Sequence, residues 1–154
     1  MSPGFDFGTL IGTKRGLRQD MTEPFVEGGC HCGAIRYRAD GAPLRVNHCH
    51  CLDCRRTSGA PFETWATFKT DDVSFTKGTP KTYRSSAQAE RRFCPECGTQ
   101  LVWQSLKSKD EIDLTAGSMD APERVTPAYH LFVRSRIAWI HTDDGLPEYE
   151  AWRD

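Results

Sequence analysis

His48-Cys49-His50-Cys51-Leu52-Asp53-Cys54 places three thiols within six residues. A disulfide needs defined Cα separations and Cβ directions, which so tight a spacing does not readily supply. One metal ion, by contrast, can be reached by all three sulfurs. A thiolate-only ligand set points to zinc rather than to magnesium or calcium, which take oxygen. Zinc usually holds four ligands, so Cys49, Cys51 and Cys54 leave one coordination position open. An open position is where chemistry or substrate capture can take place.

The remaining cysteines are Cys30, Cys32, Cys94 and Cys97. Cys94-Pro95-Glu96-Cys97-Gly98 has the form of a zinc knuckle, and Gly98 is expected to free backbone N–H groups for the thiolate sulfurs. Joined with Cys30 and Cys32, the knuckle completes a closed four-cysteine site of the structural kind. Such a site closes over the 61 residues that separate Cys32 from Cys94. It would staple early strands to late ones. Two other partitions are open: a zinc ribbon of Cys51/Cys54 with Cys94/Cys97, or a single Cys-x-x-Cys site with the other cysteines as small buried hydrophobes.

Outward from these motifs, residues 1–24 mix Gly, Lys, Arg and Asp without sustained periodicity and read as a flexible N-terminal tail. Met21 is an alternative start. The domain is expected over 25–154. Gly29-Cys-His-Cys-Gly33 reads as a tight loop, followed by an alternating strand at 34–38 and another at 44–47, which together suggest a hairpin. Arg55–Gly59 reads as one helical turn closed by glycine. Further strands are expected at 62–68, 73–75, 81–84, 100–103, 112–115, 129–133 and 137–141. No segment holds helical periodicity over 12 residues, so the fold class is mainly β in a single domain.

Bulk composition narrows the function. The 154 residues suit one domain, and a net charge of −1 gives no basic footprint for nucleic acid. No apolar run approaches membrane-spanning length. Seven cysteines without a visible export signal suggest a reducing, cytoplasmic setting and metal binding.

Three stretches carry a resemblance to a known family: Gly29–Gly33 with Ile35-Arg-Tyr37, His48–Ala60, and Phe93–Thr99. The late Pro127…His130-Leu-Phe…Trp139…Asp144-Gly-Leu-Pro147 also fits. They resemble the glutathione-dependent formaldehyde-activating enzymes, also called the centromere protein V family, over roughly residues 26–150. The resemblance implies a β-tent of antiparallel sheets, a structural zinc on Cys30, Cys32, Cys94 and Cys97, and a catalytic zinc on Cys49, Cys51 and Cys54. The implied activity joins a thiol such as glutathione to an aldehyde such as formaldehyde, formally an S-(hydroxymethyl)glutathione synthase, a carbon–sulfur lyase run in reverse.

Several neighbours bear on that chemistry. Arg55 and Arg56 follow Cys54 and could offset the negative charge of a three-thiolate zinc or pair with substrate carboxylates. His31, His48 and His50 flank the ligands as possible proton shuttles or a fourth ligand, though packing roles are the plainer expectation. His130 reads as a core histidine, and Trp65, Trp103 and Trp139 as core aromatics. The competing functional class is a non-catalytic zinc module that binds a protein or nucleic-acid partner.

Overall fold

The computed structural model describes residues 25–153; the expected tail and the alternative start at Met21 lie outside them. Among the described residues, eleven strands form two sheets. The smaller sheet has three antiparallel strands, β1 (Phe25–Gly29), β2 (Arg36–Asp40) and β5 (Val73–Lys77), in the order β1-β2-β5. The larger contains β3 (Arg45–Cys49), β4 (Glu63–Lys69), β6 (Lys81–Arg84), β7 (Ala89–Phe93), β8 (Gln100–Ser105), β9 (Glu111–Thr115), β10 (His130–Leu131) and β11 (Glu148–Tyr149). Its order is β11-β10-β3-β4-β9-β8-β7-β6.

Period-2 alternation accounts for most of these strands. In β2, Tyr37 and Ala39 are buried while Arg36 and Arg38 are not; in β9, Ile112 and Leu114 point inward. These residues meet Val26 from the small sheet and Phe68, Leu101 and Val102 from the large one in a single core. That shared core makes the two sheets one domain.

Three expectations need correction. The strands at 34–38 and 44–47 do not pair as a hairpin: β2 pairs with β1 and β5, whereas β3 pairs with β4 and β10. β2 leads away from the Cys30/Cys32 turn and β3 runs into the Cys49–Cys54 loop, and each belongs to a different sheet. Secondly, the sheets are not purely antiparallel, because β10 runs parallel to both β3 and β11. Thirdly, of the late strands only His130–Leu131 forms. Phe132 adopts a left-handed backbone, with φ 58°, and turns the chain into a short 3-10 segment at Val133–Ser135, while residues 137–141 contain no strand. There the Ile140 N–H bonds to the Ile137 carbonyl at 2.9 Å, so the segment turns on itself instead of entering a sheet.

The one α-helix among the described residues, α1 (Leu52–Ser58), follows β3 closely and ends at Gly59, whose φ of 70° places it in the left-handed cap expected there.

Candidate metal and substrate site

The four-cysteine cluster forms where two hairpin connections meet. Cys30 and Cys32 lie between β1 and β2, and Cys94 and Cys97 between β7 and β8. Each connection belongs to a different sheet. All four sulfurs fall within 4.8 Å of one another. Cys30 Sγ stands 3.5 Å from Cys32 Sγ, and Cys32 Sγ 3.8 Å from Cys94 Sγ. Tetrahedral zinc with Zn–S bonds of about 2.3 Å sets its sulfurs about 3.8 Å apart, so the spacing suits such an ion and is far too long for S–S bonds. Donors to sulfur come from the Ile35 N–H, 3.2 Å from Cys30 Sγ, and from Thr99, whose hydroxyl is 3.2 Å from Cys97 Sγ. The Thr99 hydroxyl and backbone N–H pull the Cys97 thiol down to about 5. Gly98, with φ 77°, closes the knuckle turn with its own N–H on the Cys94 carbonyl at 2.9 Å, and the backbone N–H that this loop offers to sulfur is that of Thr99.

The three-cysteine cluster is built by the β3–α1 junction. Cys49 ends β3, Cys51 caps α1, accepting the Cys54 N–H at 3.3 Å, and Cys54 lies in the first turn. The three sulfurs again lie within 4.8 Å of one another. Contacts from the Cys49 and Cys54 thiols, then backbone N–H groups of Cys54 and Asp53, hold Cys51 down to about 2, while its neighbours' sulfurs push Cys49 up. Without a cation the trio readily carries one negative charge but resists a second. A divalent metal would let all three ionise, so the donor set fits zinc. Among the described residues no His, Asp or Glu joins this cluster.

The charge beside it is supplied by Arg91, not by the arginines that follow Cys54. Arg55 donates to the Ser135 carbonyl at 3.4 Å, and Arg56 is exposed. Arg91, on β7, is only 3% exposed, and its Nη2 lies 3.6 Å from Cys54 Sγ. The Trp65 indole N–H also donates to Cys54 Sγ, at 3.4 Å. Nε and Nη1 of Arg91 are buried without a hydrogen-bond partner. A buried guanidinium requires compensating anions. Two carboxyls feel its charge, but burial pushes Asp113 up to about 6 and Glu63 up to about 7. The thiolates of a metal-loaded cluster would supply the rest, since three thiolates and one divalent ion leave a net charge near −1. Arg91→Met should therefore weaken metal binding at Cys49/Cys51/Cys54 by about 10–100-fold and spare the four-cysteine site. Chelator competition, which resolves the two equivalents, reads this directly.

The histidines divide in an unexpected way. His31 is exposed. His50 and His130 are fully buried and bonded to each other, Nε2 to Nδ1 at 2.9 Å, and His130 Nε2 reaches Asp144 Oδ2 at 2.9 Å. An ionised Asp144 only accepts, so His130 donates from Nε2 and accepts from the His50 Nε2–H. Burial first, then the charges of Arg136 and His130, lower His50 to about 4 and keep it neutral. The chain His50–His130–Asp144 thus ties the ligand loop to the late part of the sequence. His48 Nδ1 lies 2.8 Å from the Thr64 hydroxyl, and a nitrogen of its ring falls within 4.8 Å of His130 and Asp144 donor atoms. His130 is in the core, as expected, but as a link in this chain.

A cavity of about 850 Å³ opens over the three-cysteine cluster. Trp65, Trp103 and Phe132 pack against the cysteines, and Trp152 meets Phe132 edge-on with ring centroids 5.1 Å apart. Trp65 is core, as expected; Trp103 is a wall of this cavity; Trp139, expected in the core, is 66% exposed. Parallel pairing of β10 with β3 brings Phe132 beside Cys49, since Leu131 is the register partner of Cys49.

Asp113 also lines the cavity, accepting a hydrogen bond from the Thr67 hydroxyl. Its carboxyl is raised from 3.8 to about 6, chiefly by burial. A raised folded-state value means stability contributed below the ordinary value is lost as pH rises through about 6. Asp113→Asn should accordingly stabilise the protein at pH 8, by about 1–3 kcal/mol, and much less at pH 5. Thermal melts of both forms at the two pH values would show it, and an equal gain at both would contradict it.

Among the described residues no helix is long and apolar enough to cross a membrane. Comparison with known proteins agrees with the geometry. The family described as glutathione-dependent formaldehyde-activating enzyme matches residues 25–135. An "Uncharacterized lyase" of Schizosaccharomyces pombe is 33% identical over 103 residues, covering 67% of this chain and 74% of that protein. A Halomonas elongata protein named "Putative glutathione-dependent formaldehyde-activating enzyme" is 28% identical over 131 residues, covering 77% of this chain and 81% of that protein. A crystal structure of a Rhodobacter sphaeroides protein shares the fold with a TM-score of 0.52 at 21% identity, over 80% of this chain and 99% of that one. With a match across most of the described domain, this chain belongs to the glutathione-dependent formaldehyde-activating enzyme family.

Proposed function

We propose that the protein is a zinc-dependent enzyme of the carbon–sulfur lyase type, which makes or breaks the adduct of a small thiol with an aldehyde. One zinc on Cys30, Cys32, Cys94 and Cys97 would be structural, and a second on Cys49, Cys51 and Cys54 would serve the reaction. The observation that carries this reading is the three-sulfur cluster set in the wall of an 850 Å³ cavity with no fourth protein ligand among the described residues. The relatives named as a lyase and as a formaldehyde-activating enzyme support it.

A zinc ion held there supplies a coordination position for a substrate sulfur and favours its thiolate form. The chain's own residues do the rest. In the forward direction the thiol loses its proton, sulfur bonds to the aldehyde carbon, the carbonyl π bond opens, and the oxygen gains a proton. Arg91 balances the anionic cluster from 3.6 Å behind Cys54. Asp113, with a proton affinity near neutrality, is placed on the same cavity wall to exchange the proton. The aromatic walls exclude water from the adduct, which strengthens each of these electrostatic effects.

The test is exchange. Carbon-13 formaldehyde and glutathione equilibrate with their adduct at a rate measurable by magnetisation-transfer NMR. The zinc-loaded protein should raise that rate by at least about 100-fold, within the range general acid–base catalysis provides. If no thiol–aldehyde pair exchanges faster with the loaded protein than without it, the enzyme reading is wrong and the partner-binding module takes its place.

A further inference from the structure

Outside the cysteine clusters, one group of side chains takes no part in the reaction proposed above. His48, His130 and Asp144 each offer a donor atom, and these atoms lie within 4.8 Å of one another. The large sheet builds most of the group. β10 runs parallel to β3 with His130 as the register partner of His48, so two imidazoles stand side by side, their ring centroids 4.9 Å apart. Asp144 joins them from the turn made by Gly145, whose φ is 70°.

Each member is held by the atom that a metal would not use. The Thr64 hydroxyl lies 2.8 Å from His48 Nδ1, which leaves Nε2 for a metal. His50 Nε2 lies 2.9 Å from His130 Nδ1, which leaves His130 Nε2, and that atom faces Asp144 Oδ2 at 2.9 Å. The Leu146 N–H donates to Asp144 Oδ1 at 3.1 Å, which leaves Oδ2. A hydrogen bond to the far nitrogen or oxygen is what fixes a metal ligand's orientation, and here all three have one. Donor atoms bonded to zinc at about 2.0–2.2 Å stand about 3.3 Å apart in a tetrahedron. That separation falls between the 2.9 Å from His130 to Asp144 and the 4.8 Å that bounds the group. His130 is fully buried, whereas the Asp144 side chain is 38% exposed, so an ion can enter from solvent and keep water in its open position.

We infer that His48, His130 and Asp144 form a third metal site, two imidazoles and one carboxylate, for a divalent first-row ion such as zinc. Nitrogen and oxygen donors suit these ions, and two histidines with a carboxylate are a known zinc ligand set with a position open. The ion replaces the proton between His130 Nε2 and Asp144, and the His130–His50 bond persists with donor and acceptor exchanged. Bound there, it ties β3, at the residue before Cys49, to the segment leading into β11. The site has no thiolate, so it holds its ion more weakly than the cysteine clusters do. Desalted protein then keeps two zinc ions, and an added ion fills the third site. The inference goes beyond the thiol–aldehyde reading and does not depend on it.

Cobalt(II) tells the sites apart. On sulfur it shows intense charge-transfer absorption in the near ultraviolet; on imidazole and carboxylate it shows only weaker visible bands. It ranks below zinc in affinity, so it does not displace zinc from the cysteine clusters. Titrated into zinc-saturated, desalted protein, cobalt should bind as one further equivalent, with visible absorption and no sulfur charge transfer. Asp144→Asn and His48→Gln should each weaken that equivalent by at least about tenfold. Both variants should keep two zinc ions and a cooperative melt, which shows that the fold stands. No cobalt uptake beyond the two zinc ions would overturn the inference and leave the triad as a hydrogen-bonded tie. Uptake with sulfur charge transfer, or uptake equally tight in both variants, would overturn it as well, because the ion would then sit elsewhere. The thiol–aldehyde reading stands or falls separately, by the exchange measurement.

Discussion

Replacing Cys94 by serine should leave the protein unable to fold. Cys94 is fully buried, and its sulfur lies in the four-cysteine cluster that joins the β1–β2 connection of the small sheet to the β7–β8 connection of the large one. Structural zinc in small peptides supplies about 10–16 kcal/mol of apparent binding energy, against a total stability of about 5–15 kcal/mol for an ordinary domain. Losing one of four ligands need not forfeit all of that, but the serine hydroxyl does not ionise and would leave the thiols of Cys30, Cys32 and Cys97 crowded within 4.8 Å of one another without the ion that justifies their spacing. The expected result is a chain with dispersed NMR signals lost and no cooperative melt. Removing metal from the natural sequence with a strong chelator should do the same, reversibly on adding zinc. A metal-free protein with its melting temperature unchanged would show that the hydrophobic core shared by the two sheets holds the domain without help.

Much of this arrangement was legible in the sequence because metal ligation is a local, counted property. Seven cysteines in pairs and a triplet divide into four and three, and the structure groups their sulfurs in that way, against the alternative zinc ribbon. Strand existence was legible wherever one face is buried and the other wet, as in β2 and β9. What escaped depends on pairing at long range. Residues 34–38 and 44–47 are close in sequence and belong to different sheets, because β2 is paired by β1 and β5 whereas β3 is paired by β4 and β10. Arg91 carries a fainter mark: its alternation with Ala89 places it on the inward face of β7. An arginine at a core position of a strand is the signal that could have marked it. Asp144 and Phe132 carry no comparable local mark. They reach the site only because β10 runs parallel to β3, a pairing that needs a long connection and leaves no trace in spacing.

The second large effect is expected at Cys54, and its character should be opposite: function lost, fold kept. Cys54 is the sulfur on which the Trp65 indole and the Arg91 guanidinium converge, at 3.4 and 3.6 Å. Cys54→Ser removes one of three ligands from the open cluster, so the metal content should fall from two equivalents to one and thiol-induced absorption in the cobalt form should vanish. Exchange between thiol, aldehyde and adduct should drop by at least about 100-fold, because the position that holds the substrate sulfur goes with the metal. Stability should fall by only about 1–3 kcal/mol, the cost of leaving the buried Arg91 short of an anion, since the four-cysteine staple and the shared core are untouched. Retention of both metal equivalents in this variant would show that Cys54 is not a ligand. A collapse of the fold as complete as that expected for Cys94 would show instead that the two clusters share the structural load, and the cavity beside Cys54 would then lose its claim to be a site set apart for chemistry.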